Sequence, residues 1–258
     1  MRYATSMLNG DQAPPGPPPV DERLYGEQKH FFERNPRRLA TVVFGNPKYP
    51  RTLRKKMGFI AARLGGCRRI LEIGTGEGMQ LGCLFDHFGA TLRYAGIDVA
   101  SAPLRAARRL LPPADRPRAL LSTAAAEALP FSDQCFDGVF CVDALHHVSS
   151  QQRVLAEIRR VLRPEGYVVC VEPNPIFPVN LVYLRDPLER KLFELTPANA
   201  RAWTAAAGLR DLTLTQVPIF FPGFPRFLAG FYERCERVLG VIPGLCRLST
   251  ARVLIARR

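Results

Sequence analysis

The residues best suited to chemistry in this sequence are three glycines at every second position, Gly74, Gly76 and Gly78, which follow a short apolar run containing Glu72. Glycines at such a turn let the backbone bend tightly and leave N–H groups bare for a ligand. After the loop, residues 81–88 carry apolar side chains at the i, i+3, i+4, i+7 spacing of a helix. This order of strand, glycine loop and helix predicts a nucleotide-type cofactor site, and a simple tight turn is the alternative.

The spacing of the loop disfavours two other kinds of glycine loop. The dinucleotide fingerprint G-x-G-x-x-G needs its third glycine where this chain has Met79, one place after Gly78. The phosphate-cradling pattern G-x-x-x-x-G-K-[ST] needs a Lys-Ser or Lys-Thr pair, and none follows the loop. The cofactor is therefore not expected to be NAD.

A carboxylate follows at a distance suited to holding a ribose. The next apolar run ends at Asp98, 24 residues after Gly74. An acid at the tip of the second strand can accept hydrogen bonds from both ribose hydroxyls. The alternative is that Asp98 is an acid at the N-terminus of the helix predicted near Ser101, which has a capping residue and an early proline.

Four blocks of the sequence resemble one family. The acid and glycine loop at residues 72–78 resemble the first motif of class I S-adenosylmethionine-dependent methyltransferases. Blocks at 124–133, 136–148 and 157–169 resemble the subfamily that includes quinone-biosynthesis and many small-molecule enzymes. The four blocks occur in the family's order, over roughly residues 68–172.

The resemblance implies S-adenosylmethionine as the cofactor and indicates which residues hold it. The implied cofactor-binding residues are Glu72, Gly74, Thr75, Gly76, Gly78, Asp98, Val99, Ala126, Glu127, Val142 and Asp143. The chain departs from the family pattern at Ala125, where the family often has a polar residue that accepts from the adenine amino group. Adenine would then depend on apolar contacts and on the backbone groups of Ala126 and Glu127.

The resemblance and the alternation of elements predict the same fold. Strands are predicted near residues 69–73, 92–98, 118–121, 136–142, 166–172, 209–217 and 251–256. Helices alternate with the first five strands, which indicates a Rossmann-like α/β fold: a seven-stranded, mostly parallel sheet with helices on both faces. By resemblance, the last two strands form an antiparallel pair at the sheet edge. A Ser149-x-x-Gln152 capping box predicts the start of the helix over 151–162.

The chain divides into three predicted parts. They are a Pro-rich flexible arm at 1–20, a basic helical N-terminal segment at 21–64 and the methyltransferase domain at 65–258. Within the domain, the apolar segments 174–196 and 218–250, the second an insertion between the last two strands, leave strands at the ligand-binding edge. We predict that both cover an acceptor pocket. Packing against the core away from the site is the alternative.

The net charge of +13 is concentrated in one stretch. Between residues 29 and 69 there are twelve Lys or Arg and one acid, Glu33, so this stretch carries +11 and the remainder is close to balanced. Such a patch, with Arg54, Lys55 and Lys56 near its centre, attracts an acidic substrate, anionic lipid headgroups or nucleic acid. The alternative is a solvated helix face.

Two adjacent histidines, His146 and His147, follow the predicted fourth strand. Methyl transfer needs an aligned, desolvated acceptor, and oxygen or carbon acceptors usually need a proton removed as well. Histidine, with a reference pKa of about 6.5, can accept that proton at neutral pH. We therefore predict a catalytic base, with His147 ahead of His146. The alternative is that the pair caps the next helix or holds the methionine end of the cofactor.

The cysteines and the apolar runs limit the cellular setting. Seven cysteines are scattered without a C-x-x-C pair and no histidine cluster completes a zinc pattern, which predicts a reduced cytoplasmic protein without a metal. The first twelve residues lack the apolar region of a signal peptide, and no stretch of 18 apolar residues occurs. The basic segment is compatible with peripheral contact with an anionic membrane.

These features predict methyl transfer to a small amphipathic or lipid-like acceptor that carries an acidic group. The aromatic insertion would contact the apolar body of the acceptor, and the basic segment would contact its acid. One alternative is an RNA methyltransferase that uses the basic segment as a phosphate track. The other is a cofactor-binding protein on this fold that transfers no methyl, with a cyclase-like or regulatory role.

Overall fold

The structure, a computed structural model, describes residues 22–34, 49–177, 180, 189–217, 234, 247 and 249–258. Within them the strands are β1 (Arg69–Ile73), β2 (Arg93–Asp98), β3 (Ala119–Thr123), β4 (Phe136–Val142), β5 (Leu162–Pro173), β6 (Arg210–Val217) and β7 (Ala251–Arg257). The α-helices are α1 (Glu22–Arg34), α2 (Tyr49–Leu64), α3 (Leu81–Phe88), α4 (Ser101–Leu110), α5 (Gln151–Val161) and α6 (Pro197–Ala206).

The strands form one sheet in the order β3-β2-β1-β4-β5-β7-β6. β1 to β5 pair in parallel, whereas β7 runs antiparallel to both of its neighbours, β5 and β6. This confirms the predicted seven-stranded, mostly parallel α/β fold with an antiparallel pair at one edge. β5 begins at Leu162, earlier than predicted, because Leu162 pairs with Phe136 before a register shift in the β4–β5 ladder.

Helices cover both faces of the sheet because its inner strands are apolar on both sides. Alternate strand residues point to opposite faces, so a strand buried on both faces needs a near-continuous apolar run. Ile70 and Phe140 lie in one apolar cluster with residues of α2, α3 and α4. Leu71 and Val139 lie in the other cluster, with residues of α5 and α6.

The helices that flank β5 begin at capping residues. The N-cap of α5 is Ser150, whose hydroxyl accepts from the Arg153 N–H at 3.3 Å. The predicted cap, Ser149, was wrong by one residue, because Ser150 has the extended backbone of an N-cap while the Ser149 hydroxyl donates to Glu127. α6 begins after Thr196, with proline at its first position.

Helix α2 joins the basic N-terminal segment to the sheet. Its buried side chains that belong to the core are Leu53, Met57, Ile60 and Leu64. Arg54, Lys55 and Arg63 lie on its exposed side. The part of the basic segment that the structure describes is thus helical, as predicted, and anchored by its apolar side.

Two predicted segments fall largely outside the described residues. The arm at 1–20 lies outside them, as does the segment 218–250 apart from residues 234, 247, 249 and 250. The domain boundaries and the covering role of the insertion therefore stay predictions. In the part of the chain that the structure describes, no helix has the length and apolar character needed to cross a membrane.

Candidate cofactor and acceptor site

The glycine loop joins β1 to α3 at the point where the strand order reverses. β1 lies between β2 and β4 in the sheet. Open α/β sheets bind ligands in the crevice outside the carboxyl ends of the strands at such a switch point. The structure therefore places the loop where a cofactor site is expected.

The three loop glycines have left-handed backbones, with φ of 75° at Gly74, 55° at Gly76 and 77° at Gly78. A Cβ at Gly74 would lie 2.5 Å from the Ala144 Cβ, and one at Gly78 would lie 2.6 Å from a methyl of Leu81, so packing excludes side chains there. A Cβ at Gly76 would meet no described atom within 4 Å. Gly76 therefore faces an open cradle that a ligand can fill.

Asp98 lies beside this cradle at the carboxyl end of β2. Its Oδ2 accepts from the Gly76 N–H at 2.8 Å, and its Oδ1 accepts from the Ala100 N–H at 3.0 Å. Burial raises the pKa of the Asp98 carboxyl above its usual value. A carboxylate has about four acceptor positions, so the same group can also receive ribose hydroxyls. Both predicted roles of Asp98, ribose ligand and helix-terminus acid, fit this geometry.

The start of α4 next to Asp98 is capped from a distant part of the chain. Glu33 of α1 accepts from the N–H groups of Ser101 at 2.6 Å and Ala102 at 3.1 Å. The Ser101 N–H holds the pKa of Glu33 below its usual value. The prediction that Ser101 caps this helix was wrong, because Ser101 lies inside the helix and the N-cap residue, Ala100, has no capping side chain.

Two of the predicted cofactor residues engage their side chains in the core. The Tyr94 hydroxyl donates to Glu72 Oε2 and lies 3.1 Å from Thr75 Oγ1, and all three side chains are buried. The Thr75 hydroxyl is therefore engaged in the core, and the cofactor-binding role of Thr75 stays a prediction. Burial raises the pKa of Glu72 to about 8. Its second oxygen, Oε1, has no hydrogen-bond partner among the described residues.

Glu127 holds the start of α5. Its Oε1 accepts from the N–H and the hydroxyl of Ser149, both at 2.7 Å, and from the Ser150 N–H at 3.3 Å. A carboxylate at this position satisfies N–H groups that have no partner within the helix. The Glu127 side chain is therefore engaged by the start of α5. Its backbone and that of Ala126 stay the predicted contacts for adenine.

The two valines among the predicted cofactor residues differ in exposure. Val142, at the end of β4, is buried in the core, so only its backbone can reach a ligand. Val99 is partly exposed directly after Asp98. The cofactor-binding roles of both valines therefore stay predictions.

Asp143 is held by the basic N-terminal segment. Lys56 of α2 donates to Asp143 Oδ2, and the Asp143 N–H donates to the Val171 carbonyl at 2.9 Å. Asp143 has φ of 51°, a left-handed conformation that costs free energy for a non-glycine residue and often occurs at functional sites. Lys56 itself is buried. Lys56 is therefore not one of the exposed cations of the basic segment.

His146 lies between two carboxylates in a 3-10 turn, Leu145–His147, that follows β4. Its Nδ1 is 2.5 Å from Glu172 Oε2, and its Nε2 is 3.1 Å from Glu189 Oε2. Burial lowers the pKa of His146, but the charge and hydrogen bond of Glu172, aided by Glu189, outweigh it and raise the pKa to about 10. An imidazole protonated at neutral pH cannot accept a proton. The predicted role of His146 as a base therefore does not fit.

Glu172 fixes the whole turn from the end of β5. Its Oε1 accepts from the Ala144 N–H at 3.1 Å and the Leu145 N–H at 2.8 Å. Burial opposes ionisation, but His146 and these donors hold the pKa of Glu172 below its usual value. The turn therefore contains a buried, ionised carboxylate.

His147 is partly exposed on the same turn. Its Nε2 is 4.0 Å from Glu189 Oε1, and its ring centre is 3.9 Å from that of His146. Glu189 precedes a 3-10 helix, Arg190–Glu194, in which the Lys191 ammonium donates to the Ser149 carbonyl at 2.6 Å. The described end of the predicted segment 174–196 thus lies against the histidine turn. The role of His147 as a base stays a prediction.

Four residues of this region were not singled out as site residues from the sequence: Glu33, Lys56, Glu172 and Glu189. Glu172 had a usable signal, because it ends an apolar strand next to the strand that leads to the histidines, and the carboxyl ends of neighbouring parallel strands meet. The other three lie on segments whose position over the sheet no local pattern reveals.

The residues at the cradle fit S-adenosylmethionine. The open space at Gly76 lies beside the Asp98 carboxylate, which can accept from ribose hydroxyls. Two buried oxygens without a partner among the described residues, Glu72 Oε1 and Gln80 Oε1, belong to residues before and after the loop. Buried polar oxygens of this kind call for a hydrogen-bond partner, and the methionine end of the cofactor offers both an ammonium donor and a carboxylate acceptor.

Comparison with known proteins gives a local sequence match. Residues 71–170 match the family described as "Methyltransferase domain". The chain is 36% identical over 113 residues to a phthiotriol/phenolphthiotriol dimycocerosates methyltransferase 1 of Mycobacterium ulcerans, covering 42% of this chain and 38% of that protein. It is 36% identical over 83 residues to a demethylmenaquinone methyltransferase of Symbiobacterium thermophilum, covering 32% and 33% respectively. The match thus spans well under half the length of either relative.

The likeness among solved structures is more extensive and more distant. A structure from Thermotoga maritima, described as a SAM-dependent methyltransferase and possible histamine N-methyltransferase, matches with a TM-score of 0.63 at 16% identity. The match covers 89% of this chain and 99% of that one. At this identity the likeness shows the fold.

Proposed function

The chain carries a class I S-adenosylmethionine-dependent methyltransferase domain, and from this premise we propose that it transfers a methyl group to a small amphipathic or lipid-like acceptor. The domain match over residues 71–170, together with the likeness to a structure described as a SAM-dependent methyltransferase, supports the family and the cofactor predicted from the sequence. When bound, S-adenosylmethionine supplies a methyl group on a sulfonium sulfur, activated for in-line displacement by the acceptor.

The chain's own residues bind and orient rather than react. Asp98 accepts hydrogen bonds from the ribose, and Gly76 leaves room for the cofactor against the backbone. Before the loop, Glu72 offers a buried carboxyl oxygen that has no hydrogen-bond partner among the described residues. Asp143 and Lys56 fix the end of β4, where the acceptor side of the crevice begins.

Three features support an amphipathic acceptor. The exposed side of α2 carries Arg54, Lys55 and Arg63, which attract an acidic group. The two curated relatives are named for a dimycocerosate and a demethylmenaquinone, both lipid-like acceptors. The segment 218–250 is rich in phenylalanine, which suits an apolar body.

The observation that carries the proposal is the open cradle at Gly76 beside Asp98. We expect calorimetry to show binding of S-adenosylmethionine and its demethylated product, and Gly76→Val to abolish it, because the new side chain fills the cradle. Gly89→Val is the matched control, since Gly89 has a similar φ of 68° and open surroundings at the end of α3. Tighter binding of NAD, or normal binding by Gly76→Val, would contradict the proposal.

The acceptor class is tested by methyl turnover. The protein is incubated with methyl-labelled S-adenosylmethionine and, separately, with anionic prenylated phenols, fatty or polyketide-type acids, and RNA. We expect label in the lipid-like acceptors. Label in RNA alone would support the RNA methyltransferase alternative, and cofactor binding without any labelled product would support a protein that transfers no methyl.

A further inference from the structure

His146, His147 and Glu189 come together although Glu189 lies 43 residues from His146 along the chain. One nitrogen or oxygen atom from each of the three side chains lies within 4.8 Å of the other two. The Nε2 atoms of the two histidines face different oxygens of Glu189, at 3.1 Å and 4.0 Å. We propose that these three side chains form a binding site for one divalent transition-metal ion.

The donor set determines the class of ion. Two imidazoles and a carboxylate occur in catalytic zinc sites and in other sites of first-row transition metals. Imidazole favours Zn²⁺, Co²⁺ or Fe²⁺ over Mg²⁺ and Ca²⁺, which prefer oxygen ligands. Three protein ligands leave at least one coordination position for water or an acceptor oxygen.

Glu172 supplies the support that a ligating histidine needs. Its Oε2 holds the Nδ1 side of His146 at 2.5 Å, so that Nε2 points toward Glu189. Glu172 is itself fixed by the backbone N–H groups of Ala144 and Leu145. A carboxylate behind a metal-bound imidazole sets its tautomer and orientation. Glu172 is in this position relative to His146 in the structure.

The other two ligands are held less rigidly. Lys191, two residues after Glu189, donates to the carbonyls of Val148 at 3.3 Å and Ser149 at 2.6 Å, which ties its segment to the histidine turn. Metal–ligand bonds of about 2.0–2.2 Å place tetrahedral donors about 3.4 Å apart. His146 Nε2 and Glu189 Oε2, at 3.1 Å, already fit this spacing, whereas His147 Nε2 has to move closer than 4.0 Å to Glu189. His147 and Glu189, with side chains 18% and 27% exposed, have room to close, while His146 and Glu172 are fixed by burial.

The charges of the cluster also match a dication. Metal-bound histidines are neutral and metal-bound carboxylates are ionised. Metal binding at His146 Nε2 would replace the proton that this nitrogen shares with Glu189, so the ion would be the positive charge between the Glu172 and Glu189 carboxylates. The sequence predicts no metal, because no local Cys or His pattern includes Glu189.

The role of this metal site in the reaction rests on the proposed function. In that reaction the site, directly after β4, would lie on the acceptor side of the crevice. A hydroxyl bound to the ion there would be more acidic than in water. His147 would then be a ligand instead of a general base.

The test measures metal, so it does not depend on methyl transfer. Tag-free protein is stripped with a chelator, and binding of Zn²⁺, Co²⁺ and Mg²⁺ is measured by calorimetry, with the visible absorption of bound Co²⁺ as a second readout. We expect about one equivalent of Zn²⁺ or Co²⁺ and much weaker binding of Mg²⁺. His147→Ala and Glu189→Gln should each weaken Co²⁺ binding at least tenfold, and Glu172→Gln should weaken it about 10–100-fold.

The controls separate this site from other metal ligands. The seven cysteines can bind the same ions. The proposal is therefore judged by the difference in Co²⁺ affinity between each variant and the wild type. His87→Ala and Glu165→Gln, which change an exposed histidine and an exposed carboxylate, should bind Co²⁺ like the wild type. Binding of the demethylated cofactor checks that each variant is folded. No Zn²⁺ or Co²⁺ binding by the wild type, or unchanged binding in folded His147→Ala and Glu189→Gln, would overturn the proposal.

Discussion

Asp98 serves the protein's own backbone as well as the predicted ribose, because its two oxygens accept from Gly76 and Ala100. We expect Asp98→Ala to weaken cofactor binding by about 1–3 kcal/mol, the range for hydrogen bonds to a charged group. Calorimetry with the demethylated cofactor measures this loss, and Asp133→Ala, at an exposed carboxylate, is the control. If the variant binds the cofactor normally and only its melting temperature falls, Asp98 is a helix-terminus acid alone.

Glu72 makes stability depend on pH through its raised pKa. The folded protein keeps this proton up to about pH 8, whereas the unfolded chain releases it near the ordinary pKa of 4.5. The contribution of Glu72 is therefore fully present below pH 4.5 and is lost as the pH rises toward 8. We expect the free energy of unfolding of Glu72→Gln to lack this fall. Denaturant titrations between pH 5 and 8 test this expectation, with Glu165→Gln as the control that should keep the fall. If the stability of Glu72→Gln falls with pH in parallel with that of the wild type, the prediction is wrong.

At this scale the sequence predicts where a residue lies better than where its side chain points. The glycine spacing and Asp98 were predictable because their roles follow from local backbone geometry. Thr75 and Glu127 lie in the expected region. The Thr75 side chain, however, contacts Tyr94, and the Glu127 side chain binds the residues at the start of α5. Those partners come from elements distant in sequence, so spacing alone could not reveal them.

Helix α2 acts on the site through one partly buried ion pair. Lys56 and Asp143 join α2 to the residue after β4, and Asp143 is held in a strained conformation. In a double-mutant cycle of Lys56→Met and Asp143→Asn, we expect a coupling energy of about 0.5–3 kcal/mol in unfolding free energy. Lys55→Met, at the exposed neighbouring position, should change stability little and show no coupling. A cycle in which the Lys56 and Asp143 effects simply add would show that the pair does not stabilise this junction.

The same distinction between local and distant signals holds for elements. All seven strands were predictable, because apolar runs between turn residues mark them. The start of α4 was not, because its cap is Glu33, 68 residues from Ser101 along the chain. Ser150 shows the smaller error, a choice between adjacent serines that only the backbone conformation decides.

Over the whole molecule the positive charge is uneven, and the exposed side of α2 presents part of it. We expect the double reversal Arg54→Glu/Lys55→Glu to weaken binding to anionic vesicles about tenfold or more, since each cation near an anionic surface contributes about 1 kcal/mol. Added salt should produce a similar loss. Vesicle sedimentation measures both effects.

The control for this prediction changes the net charge equally elsewhere. Arg93→Glu/Arg109→Glu reverses two exposed cations outside the basic segment, and it should bind anionic vesicles nearly as well as the wild type. Equal binding of the wild type to neutral and anionic vesicles would refute the prediction. Salt-sensitive binding to RNA without binding to vesicles would instead favour the RNA methyltransferase alternative.

The position of β7 between β5 and β6 dictates an order of assembly. Among the described strands, β6 pairs with β7 alone, although it precedes β7 in the chain. β6 must therefore wait for the later strand, and until β7 docks, the apolar β5 presents an unpaired edge of the kind that recruits other chains. The last of the described strands in chain order is thus the one that covers this edge and protects the folding domain from aggregation.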